Sequence, residues 1–97
     1  MMLTLDCISR EPCFRSGLVR EQYVTKPISI NTSSVVTVRP AQGDWSLLKE
    51  INGKPVKDPQ MTEVVYNVGN SVEKITVLGE YTSIIKKMSD TRRILNG

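Results

Sequence analysis

Two cysteines, Cys7 and Cys13, are the side chains of this 97-residue sequence whose chemistry can be judged first, from their spacing. Thiol catalysis usually needs a neighbouring base, and the sequence contains no histidine. A Cys-x5-Arg phosphatase loop is excluded, because the sixth residue after Cys7 is Cys13 and the sixth after Cys13 is Val19. A zinc site would need further ligands. We expect two reduced thiols near the ends of adjoining strands, with a disulfide left open if Asp6 and Phe14 are paired strand neighbours.

Acidic residues do not supply an alternative catalytic centre. Asp44, Glu50, Glu63 and Glu80 are never found as a spaced pair with a nucleophile. The glycines are dispersed, so no loop suited to cradling a phosphate is formed. We therefore predict that the protein is not an enzyme, with no catalytic residues, no cofactor and no metal site.

Binding is the chemistry that remains, and we place it on residues 39–59 together with the basic C-terminal end. Arginine offers planar, multiple donors suited to carboxylate or phosphate groups, and tryptophan is enriched at binding hot spots. A lone tryptophan is also often a core residue, and a basic helix end is often only solvated. The predicted binding residues are Arg39, Trp45, Lys86, Lys87, Arg92 and Arg93.

Composition predicts one small domain, residues 1–97. The 39% of hydrophobic residues include one Phe and one Trp, so Val, Ile and Leu must build the core. A short chain with β-branched strands favours self-association, and we expect a homo-oligomer, a dimer held through an exposed strand edge or the outer helix face. The net charge of +3 is spread along the chain until the C-terminus, unlike a dedicated nucleic-acid binder. We find neither a signal peptide nor a membrane-length apolar run and expect a cytoplasmic protein without membrane contact.

The fold class predicted is α+β, a small antiparallel sheet with one amphipathic C-terminal helix packed on it. Residues 3–8 read as an edge strand, residues 9–12 as a turn containing Pro12, and residues 13–26 as ambiguous. Residues 28–38 predict two strands separated by a tight turn or a single helical turn at Asn31-Thr32-Ser33-Ser34, a run that also offers hydroxyls to an anion.

The second half predicts a hairpin and a helix. Residues 63–77 alternate around a turn at Gly69-Asn70-Ser71. Residues 80–88 then show helical spacing, with Tyr81, Ile84, Ile85 and Met88 on the face predicted to pack on the sheet. Residues 89–97 are expected to be a basic tail.

Residues 40–60 form an insertion with two interpretations. Asp44 is a suitable N-cap for one or two helical turns ending at Gly53. Asn52-Gly53 is equally typical of a two-residue hairpin turn between residues 47–51 and 54–57, and we slightly favour this hairpin or an irregular excursion.

The patterns Ile-x-Ile-Asn-x-x-x-Val-x-x-Val at residues 28–38 and Glu-Tyr-x-x-Ile-Ile-Lys-Lys-Met at residues 80–88, with a Gly-Asn hairpin between them, resemble the small FlbD-type proteins. Those proteins occur beside flagellar genes, and similar short reading frames occur in phage genomes. The chain departs from that pattern in its N-terminal segment, its insertion, and Gly79 where a helix cap is expected. The resemblance implies a compact module that acts by binding.

The function predicted is that of a small non-enzymatic binding or regulatory protein. It would sequester or block a host protein or a small anionic signal molecule, and the resemblance allows a phage origin. A nucleic-acid-binding regulator and a minor structural component of a virion or appendage are the alternatives.

Overall fold

The computed structural model describes residues 2–15 and 17–96, with side chains for residues 2–14 and 17–89. Within these ranges the chain forms seven strands, one helix and two short 3₁₀ turns at Thr32–Ser34 and Trp45–Leu47. The strands and the helix are β1 (Met2–Arg15), β2 (Leu18–Asn31), β3 (Val35–Pro40), β4 (Glu50–Ile51), β5 (Lys54–Pro55), β6 (Met61–Val68), β7 (Ser71–Leu78) and α1 (Tyr81–Asn96).

Five of the described strands form one antiparallel sheet in the order β2-β1-β7-β6-β3, and β4 and β5 form a separate small hairpin. The predicted α+β class is therefore confirmed. The prediction that residues 3–8 form an edge strand is wrong, because β1 pairs with β2 on one side and meets β7 on the other at Cys7↔Val77.

The predicted turn at residues 9–12 is also wrong, since β1 continues without a break to Arg15. Pro12 is tolerated because hydrogen-bonded and non-bonded pairs alternate along an antiparallel ladder. Arg15 and Leu18 form the hydrogen-bonded pair that closes the turn, so Pro12 and Glu21, three pairs further along, form a non-bonded pair. At a non-bonded position β2 needs no N–H from the proline.

The long first strand also decides the state of the cysteines. Cys7 and Cys13 lie six residues apart in one strand, about 20 Å at the usual rise per residue. A disulfide within the chain needs Cα atoms closer than about 7 Å. The open alternative of a Cys7–Cys13 disulfide is therefore excluded, and both thiols are free.

The sheet must curl, because its two outer strands are consecutive in sequence. In a flat five-stranded sheet β2 and β3 would lie about 19 Å apart. Only Thr32–Ser34 separates them, and four residues reach at most about 14 Å even when extended. The 3₁₀ turn at Thr32–Ser34 confirms the predicted single helical turn. The Asn31 side chain caps this turn by accepting a hydrogen bond from the Ser33 N–H.

The hairpin of β6 and β7 is confirmed, with Val68 paired to Ser71 and Gly69 at φ +58° at the first central turn position. α1 then packs on the concave side through Ile84 and Met88, both buried. Their neighbours in this first core include Leu5, Ile30, Val64 and Val77.

Two details of the helix prediction need correction. Tyr81 is 37% exposed and does not belong to the core, and Ile85 is only half-buried. The helix also continues through residues 89–96, which were expected to form a tail. It begins after Gly79, where φ is +139° and a Cβ atom would lie only 3.1 Å from Ile84 Cδ1. A side chain at this position would be strained by the positive φ and would require Ile84 to shift.

The insertion packs on the other face of the sheet. Ile8, Ile51 and Met61 are buried there in a second core. Asn52 (φ +56°) and Gly53 (φ +76°) form the turn between β4 and β5, so the favoured hairpin is confirmed. The competing helical interpretation survives only as the 3₁₀ turn at Trp45–Leu47.

Candidate functional site

Arg39 is held by an acidic neighbour on the sheet. Its Nε donates to Glu63 Oε2 at 2.6 Å and its Nη2 donates to Glu63 Oε1 at 3.2 Å. Lys74 Nζ lies 3.4 Å from the same Oε1. The Arg39 hydrogen bond is the main cause that lowers the pKa of the Glu63 carboxyl, and the same bond raises the pKa of Arg39. A partner's carboxylate or phosphate would have to compete with Glu63 for this guanidinium.

Trp45 lies at the rim of the second core and is half-buried. Its ring meets Tyr23 edge to face, with 6.2 Å between centroids and 75° between planes. Its Nε1 donates to the Gln42 carbonyl at 3.2 Å. The tryptophan is thus mainly a packing residue of the insertion, with part of its ring open to solvent.

The six predicted binding residues do not converge on one surface. Val38 packs with the first core, and side chains alternate along a strand, so Arg39 points to the face that carries the insertion and Trp45. Lys86 and Lys87 are exposed on α1, on the opposite face. Arg92 and Arg93 lie in the last turns of α1, and their side chains fall outside the described ones.

A groove between β3 and α1 is the strongest candidate for a binding site, because it combines a concave shape, apolar side chains and an open strand edge. It has a volume of about 220 Å³. Five of the seven residues that line it are apolar, among them the half-buried Ile85, and backbone and hydroxyl groups add polar surface. The residues that line it are Val35, Val36, Thr37, Val38, Ile85, Met88 and Ser89. We call this concavity the β3–α1 groove.

The backbone of β3 is open along this groove. The Ala41 N–H donates to the Met61 carbonyl at 3.0 Å, which places residue 41 in a hydrogen-bonded pair with β6. The pairs alternate, and Val38 lies opposite Val64 in a non-bonded pair. The N–H and C=O of Val38 therefore point away from β6, on the outer edge of the sheet as the structure describes it.

A bulge modifies the start of this edge. The register between β3 and β6 shifts between Val35 and Thr37, which leaves Val36 as the extra residue. Its side chain is 57% exposed at the mouth of the groove. At the other end Pro40 has no N–H to offer. The stretch that can accept another strand is thus short and centred on Val38.

A larger concavity, about 370 Å³, lies between β2 and Leu47–Glu50. Its walls carry charges of both signs, so they select no single charge type in a ligand. The charged residues among its walls are Arg20, Glu21, Lys49 and Glu50.

Sequence reasoning missed the β3–α1 groove although it identified both of its walls. We predicted the strand through Val38 and the helical face through Ile85. That the two lie side by side depends on the strand order, which puts β3 at the outer edge of the sheet. The useful signals were the valine run at residues 35–38 and Ile85 next to the buried Ile84.

The described residues contain neither a metal-binding cluster nor a helix that could span a membrane. No cluster of three or more Cys, Asp or Glu side chains suited to a metal ion occurs among them. No helix in this part of the chain has the length and apolar character that crossing a membrane requires.

Comparison of the chain with protein-family models, with curated proteins and with solved structures gives no match. The resemblance to FlbD-type proteins accordingly stays a prediction.

Proposed function

We propose that this chain is a non-catalytic binding protein that takes an extended segment of a partner protein into the β3–α1 groove as an added strand. The observation that carries the proposal is the open backbone of Val38 beside an apolar groove. Unpaired N–H and C=O groups at a sheet edge are satisfied by the backbone of another extended chain. Side-chain pockets beside such an edge then give specificity.

The shape of the groove favours a peptide segment over a compact ligand. Strand addition supplies main-chain hydrogen bonds, and alternate side chains of the segment point towards one face. Those side chains would contact Ile85 and Met88 on the helix wall. The segment should therefore carry apolar residues at every second position.

Charge near the groove favours acidic residues in the same segment. Lys86 stands three residues before Ser89, so the two are neighbours on the surface of α1. Ser89 lines the groove, and Lys86 is exposed. Acidic side chains at the positions that point outward would lie near this cation, which steers association more than it adds affinity. The partner is bound and blocked, without chemical change.

Selection from a random linear peptide library tests the proposal without knowledge of the partner. We expect selected peptides with alternating apolar residues and acidic residues between them. Val36→Asp should weaken their binding about tenfold or more, because it places a negative charge at the mouth of the groove. Calorimetry measures the affinities.

Val72→Asp is the matched control, because Val72 is also an exposed valine, 62% against 57% for Val36, but lies on the hairpin between β6 and β7. It should leave the affinity unchanged. Failure to select any peptide, or equal loss of binding in both variants, would contradict the proposed site.

A further inference from the structure

The hairpin of β1 and β2 continues beyond the point where β1 pairs with β7. β7 meets β1 only at Cys7↔Val77, whereas β1 and β2 stay paired up to Arg15↔Leu18. Residues 11–15 and 18–22 thus form a two-stranded ribbon, which we call the arm. Isolated two-stranded ribbons are marginally stable in water.

The end of the arm exposes large apolar side chains. Phe14 is 77% exposed, Val19 65% and Leu18 56%. Phe14 and Val19 are opposite each other in the ladder and share one face, and Leu18 belongs to the other face. Clusters of this kind mark interaction sites.

The outer edge of β2 is already occupied just beyond the arm. On the outer edge of β2, the Tyr23 carbonyl accepts from the Asn52 N–H at 3.0 Å and the Thr25 N–H donates to Asn52 Oδ1 at 2.9 Å. Pro27 comes next on that edge and has no N–H. On the opposite edge of the arm, Pro12 likewise has none.

One short stretch of the outer edge of β2 stays open. Because Tyr23 turns its carbonyl outward, the alternation of the ladder also turns the N–H and C=O of Val19 and Glu21 outward. No described strand pairs with β2 on this side in the main sheet. On β2 the arm therefore offers an open edge of about three residues, Val19–Glu21, next to its exposed apolar side chains.

We propose that a second copy of this chain pairs with this edge, β2 against β2, about a two-fold axis at Val19. In that register Val19 and the partner's Val19 exchange both backbone hydrogen bonds. The Phe14 and Val19 side chains of both copies form one continuous apolar row on one face. Leu18 lies opposite the aliphatic part of the partner's Arg20 on the other face.

The alternative register, centred on Arg20, would place like charges directly opposite each other and is disfavoured. A nucleic acid is a poor occupant, because Arg10 pairs with Glu21 and Lys26 with Glu11 within the hairpin. Pro12 lacks the N–H that a strand added at the other edge would need at that position, which opposes growth beyond two copies.

The first test is mass as a function of concentration. Sedimentation equilibrium should give twice the chain mass of 10.9 kDa at high concentration. Val19→Lys should raise the dissociation constant about tenfold or more, because a charge at a sheet edge opposes pairing. Val72→Lys, at a similarly exposed valine outside the arm, should leave it unchanged. A monomer at every concentration, or equal effects of both variants, overturns the proposal.

The second test fixes the register in a background with Cys7→Ser and Cys13→Ser. Opposed residues of a hydrogen-bonded antiparallel pair have Cα atoms about 5.5 Å apart, within disulfide range. Val19→Cys should give a disulfide-linked dimer under mild oxidation, and Arg20→Cys should not. Cross-linking through residue 20 and not through residue 19 overturns the proposed arrangement.

Discussion

The ion pair between Arg39 and Glu63 makes the Arg39 guanidinium less available to a ligand. The Glu63 side chain is only 9% exposed, and both of its oxygens accept from Arg39. A carboxylate in such a position is costly without its partner. Arg39 therefore acts within the sheet, where it neutralises the buried Glu63 carboxylate.

This ion pair predicts a pH dependence of stability. The pKa of Glu63 is lowered in the folded protein, chiefly by Arg39. Its contribution to the free energy of unfolding is therefore fully present above the unfolded pKa of about 4.3 and is lost as the pH falls through the lower, folded value. Urea denaturation at a series of pH values should show that the advantage of the parent over Glu63→Gln shrinks below about pH 4.3. An advantage that does not change with pH would contradict this role.

Residue types could be predicted to bind, but their grouping could not. Arg39 and Lys86 are both plausible anion contacts in the sequence. In the structure Arg39 and Lys86 lie on opposite faces of the sheet. Which face of β3 is covered by α1 is decided by tertiary packing, and the local sequence does not show it. The exposure of Tyr81 beside the buried Ile84 likewise follows from where the helix meets the curled sheet.

Some apolar side chains of α1 lie in the first core and others line the β3–α1 groove. Ile84 is 1% exposed and belongs to the first core, whereas Ile85 is half-buried at the groove. Ile84→Ala should lower the free energy of unfolding by about 2–5 kcal/mol, as core truncations do. Ile85→Ala should cost clearly less and should weaken peptide binding in the β3–α1 groove.

The two alanine variants separate the roles in one pair of measurements, urea denaturation and peptide affinity. A loss of stability as large for Ile85→Ala as for Ile84→Ala would show that Ile85 belongs to the core. It would also remove the helix wall from the proposed groove.

Elements defined by local signals were predicted well. The turns of the two hairpins need positive φ angles at Gly69, Asn52 and Gly53, which these residue types adopt readily, so both hairpins were visible in the sequence. The hairpin of β1 and β2 was missed because Pro12 usually interrupts a strand. Only the register shows that its missing N–H faces away from β2.

The whole molecule is elongated, with extents of 53 × 30 × 21 Å. Its radius of gyration is 15.2 Å, against about 12.5 Å for a compact domain of this length. A strand of 14 residues is about 46 Å long, so the hairpin of β1 and β2 explains most of the long axis. The two proposed surfaces, the arm edge at Val19 and the groove at Val38, belong to the two outer strands of the described sheet.

The central claim is that a partner segment pairs with the open backbone of β3, and amide hydrogen exchange tests it most directly. A peptide selected for binding should slow exchange at the Val38 N–H, which points away from β6 in the free protein. The Val19 N–H on the arm should keep its rate when the chain is studied as a monomer. Binding that leaves Val38 exchange unchanged while protecting other outward amides would contradict the account.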